Sequence, residues 1–586
     1  MAVAPASRRG QPADPRLPRL VPRTPRVDPE LLDPALPAWL RRVQAARIAA
    51  PEELDLSLGA LPPPGTLSGI ESAAALLARA LAEHWRILVV GDFDADGATS
   101  TALTVLVLRA CGGSVDFLVP NRFEYGYGLT PEIVALASQR DPDLIVTVDN
   151  GISSLAGAGA AQAAGIRVLI TDHHLPGREL PVADAIVNPH LPGCRFPSKA
   201  LAGVGVIFYV LAALRAELKR RNWFGDRGLA EPVLADWLDL VALGTVADVV
   251  PLDRVNRTLV HQGLQRIRAG RARPGLLALL AQANRDHRRA VAADLGFAAG
   301  PRLNAAGRLD DMSIGIRCLL AESAAEAHGL AAQLDELNRD RRALEARMRR
   351  EAEAQLTDPS LAEDPPWGLC LYDSDWHQGI VGLVAGRVRE RLHRPVIAFA
   401  DAGGGELKGS ARSIPGLHIR DALALVAARH PELLGRFGGH AAAAGMALAA
   451  SDLDAFAAAF DGVVRELLTP EDLELALAHD GELPAEELSL ANARLLRDAG
   501  PWGQHFPEPV FLGEFLVVDA RAVGEVHLKL RLAADPGREP LDAIAFNVLE
   551  AGQQPQLAER IRILYRLDVN CFRHTERLQL VVDHLC

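Results

Sequence analysis

The stretch "RILVVGDFDADGATSTALTVLVLRACG", residues 86–112, decides how the chain folds. Its opening "RILVV" is a short β-branched apolar run of the kind that forms a buried strand. The run stops at Gly91 and three aspartates follow, Asp92, Asp94 and Asp96, before a long segment of small and apolar residues that reads as a helix. The pattern then repeats. "LIVTV" (144–148) ends on Asp149, the helical "SLAGAGAAQAAG" (154–165) follows, and "RVLIT" (167–171) ends on Asp172, His173 and His174. Strands alternating with helices predict α/β architecture with a doubly wound parallel sheet. In such sheets the ligand crevice lies at the carboxyl ends of the strands, so the acids are expected to converge on one edge.

Three aspartates in five residues are costly unless they are solvated or neutralised. Two unit charges 4 Å apart repel by roughly 4 kcal/mol at an effective dielectric near 20. Taken alone, "DFDADG" is equally well read as an acidic helix N-terminus, where carboxylates are favoured. Asp149 and the Asp-His-His triplet turn the balance toward a cation, because capping does not explain acids at the ends of several separate elements. Oxygen donors with one or two imidazoles suit Mn²⁺ or Mg²⁺ better than a structural zinc. A carboxylate shared by two such ions gives the arrangement used for phosphoester hydrolysis.

Composition narrows the class. The chain has 586 residues, is 49% hydrophobic and 23% charged, and carries a net charge of −12. That charge argues against a basic nucleic-acid coat protein, though not against an enzyme with a local basic path. The six cysteines form no CxxC pair, which argues against a zinc knuckle or a secreted disulfide framework. No run is long enough to span a membrane, and a cytoplasmic location is expected. The Pro- and Arg-rich start is read as a disordered tail over residues 1–48.

Further along, "LDLVALGTVADVVPL" (238–252) is apolar with Asp248 near its end, and Leu330, Leu334, Leu337, Leu344 and Met348 recur at helical spacing. The latter predict an exposed linker helix over 321–358. A second α/β unit over 359–464 carries a Gly/Ser/Arg loop, "LKGSARSIPG" (407–416), and a Gly-rich patch, "RFGGHAAAAG" (436–445). From 465 to 586 strict alternation such as "HLKLRL" predicts a small antiparallel β domain or barrel.

Four segments, "DFDADG", "VDNG", "TDHH" and "GTVADVV", resemble in order the motifs of the DHH phosphoesterase superfamily. "GSARSI" and "FGGHAAAAG" resemble its associated substrate domain. Longer stretches, among them "VPNRFEYGYGL", "LAGVGVIFYVLAALR", "LGFAAGPRLNAAGRLDDM" and "GPWGQHFPEPVF", resemble its bacterial single-strand-specific 5′→3′ exonuclease branch, from about residue 50 to the C-terminus. The resemblance implies a DHH-type catalytic core over 49–320, a linker helix, a DHHA1-like substrate domain and an OB-like single-strand-binding barrel. It implies removal of nucleotides from the 5′ end of single-stranded DNA in repair and recombination, with two Mn²⁺ or Mg²⁺ ions. It also implies a single-strand-binding protein and a helicase as partners, and a monomer is expected.

Carried over by position, the resemblance makes Asp94 and Asp96 the metal pair, Asp149 the bridging carboxylate, and His173 and Asp248 ligands of the second ion. His174 would face the scissile phosphate, and Asp172 would orient the strand end. Many superfamily members place a histidine four residues before the first metal aspartate, where this chain has Val90. Asp92 or water is expected to fill that gap. Arg122, Arg308, Ser410 and Arg412 would hold the 5′ phosphate, with Arg302 and Asn304 as further contacts. Gly438, Gly439 and His440 would let a nucleic-acid backbone approach. Phe123, Tyr125 and Tyr127 are candidates for base stacking, and Lys529, Arg531, Phe546 and Phe572 for contacts on the barrel. Two other readings bear on the same residues. A small-substrate phosphodiesterase would not need the added β domain, and a non-catalytic DNA-binding scaffold would have lost metal ligands.

Overall fold

The computed structural model describes residues 18–120, 125, 128–356, 366–524, 526–549, 557–572 and 575–586. The chain divides into two compact units. One is Arg339–His479 together with the segment ending at Arg23 and the terminal Cys586; the other is Thr24–Asn338 with Asp480–Leu585. The first described strand, β1 (Arg19–Pro22), belongs to the former.

The larger unit is built on the expected parallel sheet. Its strands are β2 (Arg86–Gly91), β3 (Ser114–Leu118), β4 (Leu144–Val148), β5 (Arg167–Thr171) and β6 (Ala185–Val187), in the order β3-β2-β4-β5-β6. All four pairings are parallel. Both faces of β2 are buried. Ile87 and Val89 join the main core, while Leu88 and Val90 pack on the other face with Ile133 and Val134. That is why the strand reads as a continuous apolar run. From β2 the chain crosses to β3 on one side and later to β4 on the other, so the switch point lies between β2 and β4. Asp92 and Asp149 follow those two strands.

The apolar run at 238–252 is a helix, Leu238–Ala247, with every residue from Leu238 to Thr245 buried. A helix enclosed on all sides loses its polar stripe, and with it the 3.6-residue period. The linker is one continuous helix, Ala324–Gln355. It is not wholly exposed as expected, because Leu334 is buried and Leu330 and Leu337 pack against the main core.

In the other unit, β7 (Leu369–Tyr372), β8 (Val396–Gly403), β9 (Glu406–Arg412), β10 (Arg436–Gly439) and β11 (Ala443–Ala449) form a sheet ordered β10-β11-β9-β8-β7. Only β7 and β8 pair in parallel; the other pairings are antiparallel. The stretch read as a Gly/Ser/Arg loop is therefore mostly strand. Leu407, Gly409 and Ala411 are its buried face, and Gly409 is small because a Cβ there would sit 2.4 Å from the Phe399 ring. A short β12 (Ala476–His479) pairs in parallel with β1.

The C-terminal strands β13 (Phe511–Val523), β14 (His527–Ala533), β15 (Leu541–Ala545), β16 (Arg560–Phe572) and β17 (Thr575–Leu585) close into a barrel in the order β13-β14-β15-β17-β16. Its core contains Phe511, Phe515, Tyr565 and Leu580, and also Trp39, Leu40 and Val43. Those three lie on the helix Ala38–Ala45, and the Trp39 and Phe511 ring centroids are 6.0 Å apart. Nearby, Arg47 is buried against Asp480 with Nη1 and Nη2 donating at 2.6 and 2.8 Å. The expectation of a disordered tail over 1–48 is thus corrected from Arg19 onward, while residues 1–17 lie outside the described residues. The Pro/Arg composition hid an amphipathic turn whose apolar face belongs to the barrel.

Candidate metal centre

The acidic turn after β2 is held by its own backbone. The Phe93 N–H donates to Asp92 Oδ1 at 2.7 Å. Asp94 caps the helix Ala95–Ala110, with Oδ1 accepting from the N–H groups of Asp96 and Gly97 at 3.0 Å each. Gly97 is required by closeness, because a Cβ there would lie 2.5 Å from the Asp92 carbonyl oxygen. Asp96 is buried. Its two oxygens accept from Gly203 N–H at 2.6 Å and Val204 N–H at 2.9 Å, the first turn of the helix Gly203–Arg220.

Asp149 sits at φ 63°, a left-handed conformation that aspartate tolerates better than most residues. The next residue, Asn150, donates from Nδ2 to the carbonyls of Val90 at 3.1 Å and Val148 at 2.9 Å. It ties the tips of β2 and β4 together. Gly203 also matters here, since a Cβ on it would come within 2.7 Å of Asp149 Oδ1. Sequence reading assigned roles to neither Asn150 nor Gly203. The paired glycines of "GVGV" at a helix start were the available signal.

His173 Nε2 lies 3.1 Å from Asp149 Oδ1 and 3.5 Å from Asp248 Oδ2, with Asp248 at the C-terminal cap of Leu238–Ala247. Asp172 is turned to a different task. Its Oδ1 accepts from the N–H groups of His173 and His174 at 2.7 and 3.1 Å and lies 2.8 Å from His174 Nδ1. Its Oδ2 accepts from Ile152 N–H at 2.9 Å. A carboxylate this committed orients the loop and the His174 ring.

The donor set fits divalent cations. Three groups bring their ligand atoms within 4.8 Å of one another: Asp92, Asp94 and Asp149; Asp96, His173 and Asp248; and Asp149, His173 and His174. His173 Nε2 and Asp248 Oδ2 are buried without a hydrogen-bond partner, a cost that a coordinated ion removes. Burial, then repulsion from Asp94, pushes the Asp96 carboxyl up to about 7. Burial, then repulsion from Asp96 and Asp94, raises Asp149 and Asp248 as well. Burial drives His173 down to about 3, leaving a neutral imidazole. For His174, burial works the other way, but its bond to Asp172 and the charges of Asp172, Asp92 and Asp94 carry it up to about 9. Fixed carboxylates that repel one another and a neutral imidazole are what Mn²⁺ or Mg²⁺ would neutralise and coordinate. Val90 does not face this cluster. Its side chain is in the core, and Asp92 stands with Asp94 and Asp149 instead.

The expected substrate residues divide. The helix Gly300–Leu309 docks on the acidic turn, with Asn304 Oδ1 accepting from Ala95 N–H at 2.7 Å. Gly307 allows that approach, since a Cβ on it would lie 1.7 Å from the Phe93 carbonyl oxygen. This places Arg308, next in sequence, beside the acids. Arg302 points elsewhere. It pairs with Asp335 of the linker helix at 2.7 Å and donates to the Ala298 carbonyl at 2.7 Å, so its guanidinium is engaged within the fold. In the other unit, Arg412 Nη1 donates to Ser410 Oγ at 3.0 Å. Both stand over the first turn of the helix Val381–Leu392, where a Cβ on Gly382 would meet Arg412 Nη2 at 2.7 Å and Ser410 Oγ at 2.8 Å. A serine, an arginine and a helix N-terminus suit a phosphate. Gly382 went unnoticed in sequence because its role is spatial.

Gly439, at φ 146°, turns the β10–β11 connection, whereas a Cβ on Gly438 would meet nothing within 4 Å. His440 lies in that turn with Nδ1 accepting from Ala442 N–H at 3.2 Å. Arg122, Phe123 and Tyr127 fall outside the described residues, while Tyr125 is partly buried against the cluster of Leu88, Val90 and Ile133. On the barrel, Lys529 and Arg531 lie on β14, and Phe546 is exposed with its ring 5.4 Å from His527. The side chain of Phe572 is outside the described set.

Comparison with known proteins identifies the domains that carry these residues. Residues 86–245 match the family model of the DHH family N-terminal domain, 368–466 the DHHA1 domain, and 479–584 the RecJ OB domain. The single-stranded-DNA-specific exonuclease RecJ of Dickeya dadantii is 55% identical over 566 residues, which is 96% of this chain and 98% of that protein. Its counterpart from Escherichia coli is 52% identical over 553 residues, 94% and 96% of the two chains. The crystal structure of RecJ from Thermus thermophilus in complex with Mn²⁺ has a TM-score of 0.78 at 31% identity, covering 97% of this chain and 79% of that one. The Mg²⁺ complex has a TM-score of 0.72 at 30% identity, covering 97% and 78%.

Proposed function

The chain belongs to the RecJ family of single-stranded-DNA-specific exonucleases, and from that premise we propose which residues carry its metal-dependent hydrolysis. The carrying observation is the approach of His173 Nε2 to both Asp149 and Asp248, with Asp92 and Asp94 grouped on the other side of Asp149. In this reading Asp92, Asp94 and Asp149 would hold one Mn²⁺ or Mg²⁺, and Asp96, His173 and Asp248 would hold a second. Such ions supply Lewis-acid stabilisation of the phosphoryl oxygens and an attacking water of lowered pKa.

The remaining work falls to the chain itself. Asp172 fixes the His174 ring through Nδ1, leaving Nε2 to meet the scissile phosphate. In the metal-free protein, against the effect of burial, its bond to Asp172 and the charges of Asp172, Asp92 and Asp94 raise His174 to about 9, and from this fixed orientation its ring would hydrogen-bond a phosphoryl oxygen on which negative charge develops. Ser410 and Arg412, over the first turn of Val381–Leu392, take the terminal 5′ phosphate, giving 5′→3′ polarity, and Arg308 contacts the DNA strand next to the acidic turn. The OB barrel holds the strand downstream. Mononucleotide release in repair and recombination, a monomeric state, a cytoplasmic location, and a single-strand-binding protein and a helicase as partners belong to the same proposal. No helix among the described residues is long and apolar enough to cross a membrane.

The test uses single strands and duplex labelled at either the 5′ or the 3′ end, each with Mn²⁺, Mg²⁺ or EDTA, for wild type and Asp149→Ala. Immediate release of a labelled mononucleotide from the 5′-labelled single strand alone, abolished by EDTA and by Asp149→Ala, is the expected result. Full activity of Asp149→Ala would overturn the assignment.

A further inference from the structure

Phe297 is 85% exposed, and nothing in the metal centre accounts for it. It is the middle residue of a π-helical turn, Leu295–Ala299, inserted ahead of the helix Gly300–Leu309. Such turns are uncommon and occur frequently at functional sites. This one is pressed onto the end of the helix that presents Asp248. A Cβ on Gly296 would lie 3.1 Å from Val246 Cγ1, and one on Gly300 would lie 3.1 Å from the Ala247 Cβ.

Val249, the residue after Asp248, is also out of place. It is 63% exposed and sits at φ 60°, a conformation that costs a β-branched residue of order 1–3 kcal/mol. Phe297 and Val249 line a cavity of 960 Å³ together with residues 567–571 of β16. The apolar surface therefore begins one residue from a proposed metal ligand and runs toward the barrel.

The charge around this cavity decides which part of a strand it would take. Its lining includes five arginines and five carboxylates. Several are already paired, such as Arg288 with Asp286 at 2.9 Å and Arg285 with Asp294 at 3.3 Å. A balanced wall makes a poor phosphate clamp, whereas an exposed aromatic ring is a platform for any base. We propose that Phe297, flanked by Val249, stacks on a base of the single-stranded substrate close to the cleaved bond, and so positions the strand between the metal centre and the barrel. The proposal rests on the family activity and adds a positioning residue to it.

The experiment compares wild type, Phe297→Ala and Phe297→Trp on 5′-phosphorylated single strands, with a single abasic nucleotide walked along the sequence. Because the ring is exposed, its truncation leaves no cavity in the core. Phe297→Ala is expected to raise KM roughly tenfold, the scale of one lost base–aromatic stack, with kcat changed by less than about twofold, and Phe297→Trp to keep the wild-type KM. At one position, or two adjacent ones, an abasic nucleotide should raise the wild-type KM by the same factor and leave that of Phe297→Ala unmoved. A wild-type KM for Phe297→Ala on intact strands would overturn the proposal, as would losses that multiply at every abasic position. Wild type failing to degrade intact single strands would instead remove the family-based reading.

Discussion

Removing the ions from this centre turns it into a store of protons. In the metal-free protein Asp96 is pushed up to about 7 from an ordinary 3.8, by burial first and Asp94 second. The folded protein then keeps a proton that the unfolded chain has already lost above pH 4. Stability from this group is present at low pH and disappears as pH rises through the folded value. The whole shift of about three units corresponds to about 4 kcal/mol at 1.36 kcal/mol per unit, of which about 1.4 kcal/mol is lost between pH 6 and 8. His174, raised to about 9, adds to the loss over that range. His173, lowered to about 3, opposes it, because the unfolded imidazole discharges between pH 6 and 8 while the folded one is already neutral. Comparison with Asp96→Asn removes this proton site, together with its repulsion on Asp149 and Asp248, while both histidines remain. In EDTA, scanning calorimetry should show the wild-type Tm falling from pH 6 to 8 by about 1–2 °C more than that of Asp96→Asn. With saturating Mn²⁺ the wild-type slope should reverse, because the ions bind the deprotonated ligands. A metal-free wild-type slope no steeper than that of Asp96→Asn would refute the reasoning.

Three further outcomes are expected. Asp92→Ala should weaken Mn²⁺ binding by about tenfold or more by isothermal titration, and unchanged affinity would remove Asp92 from the first site. Gly382→Ala places a methyl within 2.8 Å of both Arg412 Nη2 and Ser410 Oγ; it should raise KM about tenfold for 5′-phosphorylated strands, the worth of one charge-assisted hydrogen bond, and leave 5′-hydroxyl strands unaffected in a steady-state comparison. Arg47→Ala strands Asp480 without its buried partner, and should destabilise the barrel by about 3–5 kcal/mol in denaturant unfolding.

The central strands and their acids were legible because β2, β4 and β5 are almost wholly buried and each ends where its carboxylate begins. That Asp92, Asp94, Asp96, Asp149, His173 and Asp248 would cluster was legible because their motifs stand in a fixed order along the chain. Other features were hidden for stated reasons. Leu238–Ala247 has no period because it is enclosed on every side, and β9 reads as a loop because its buried positions include a glycine and an alanine. Arg302 resembles a phosphate ligand in sequence but is claimed by Asp335, more than thirty residues away. Gly203, Gly382 and Asn150 act through what they let approach or tie together, and one-dimensional spacing does not record that.

The Trp39 helix has a consequence for how the protein is made. Trp39 and Phe511, whose rings meet in the barrel core, are separated by more than four hundred residues of chain. At ribosomal rates of 5–20 residues per second, the helix waits about half a minute to a minute and a half for its partner strand to be synthesised. Throughout that interval its apolar face is exposed beside the nascent chain, open to chaperones or to a neighbouring copy. Its capture by barrel strands made more than four hundred residues later means that the helix gains its packing partner only once those strands have been synthesised.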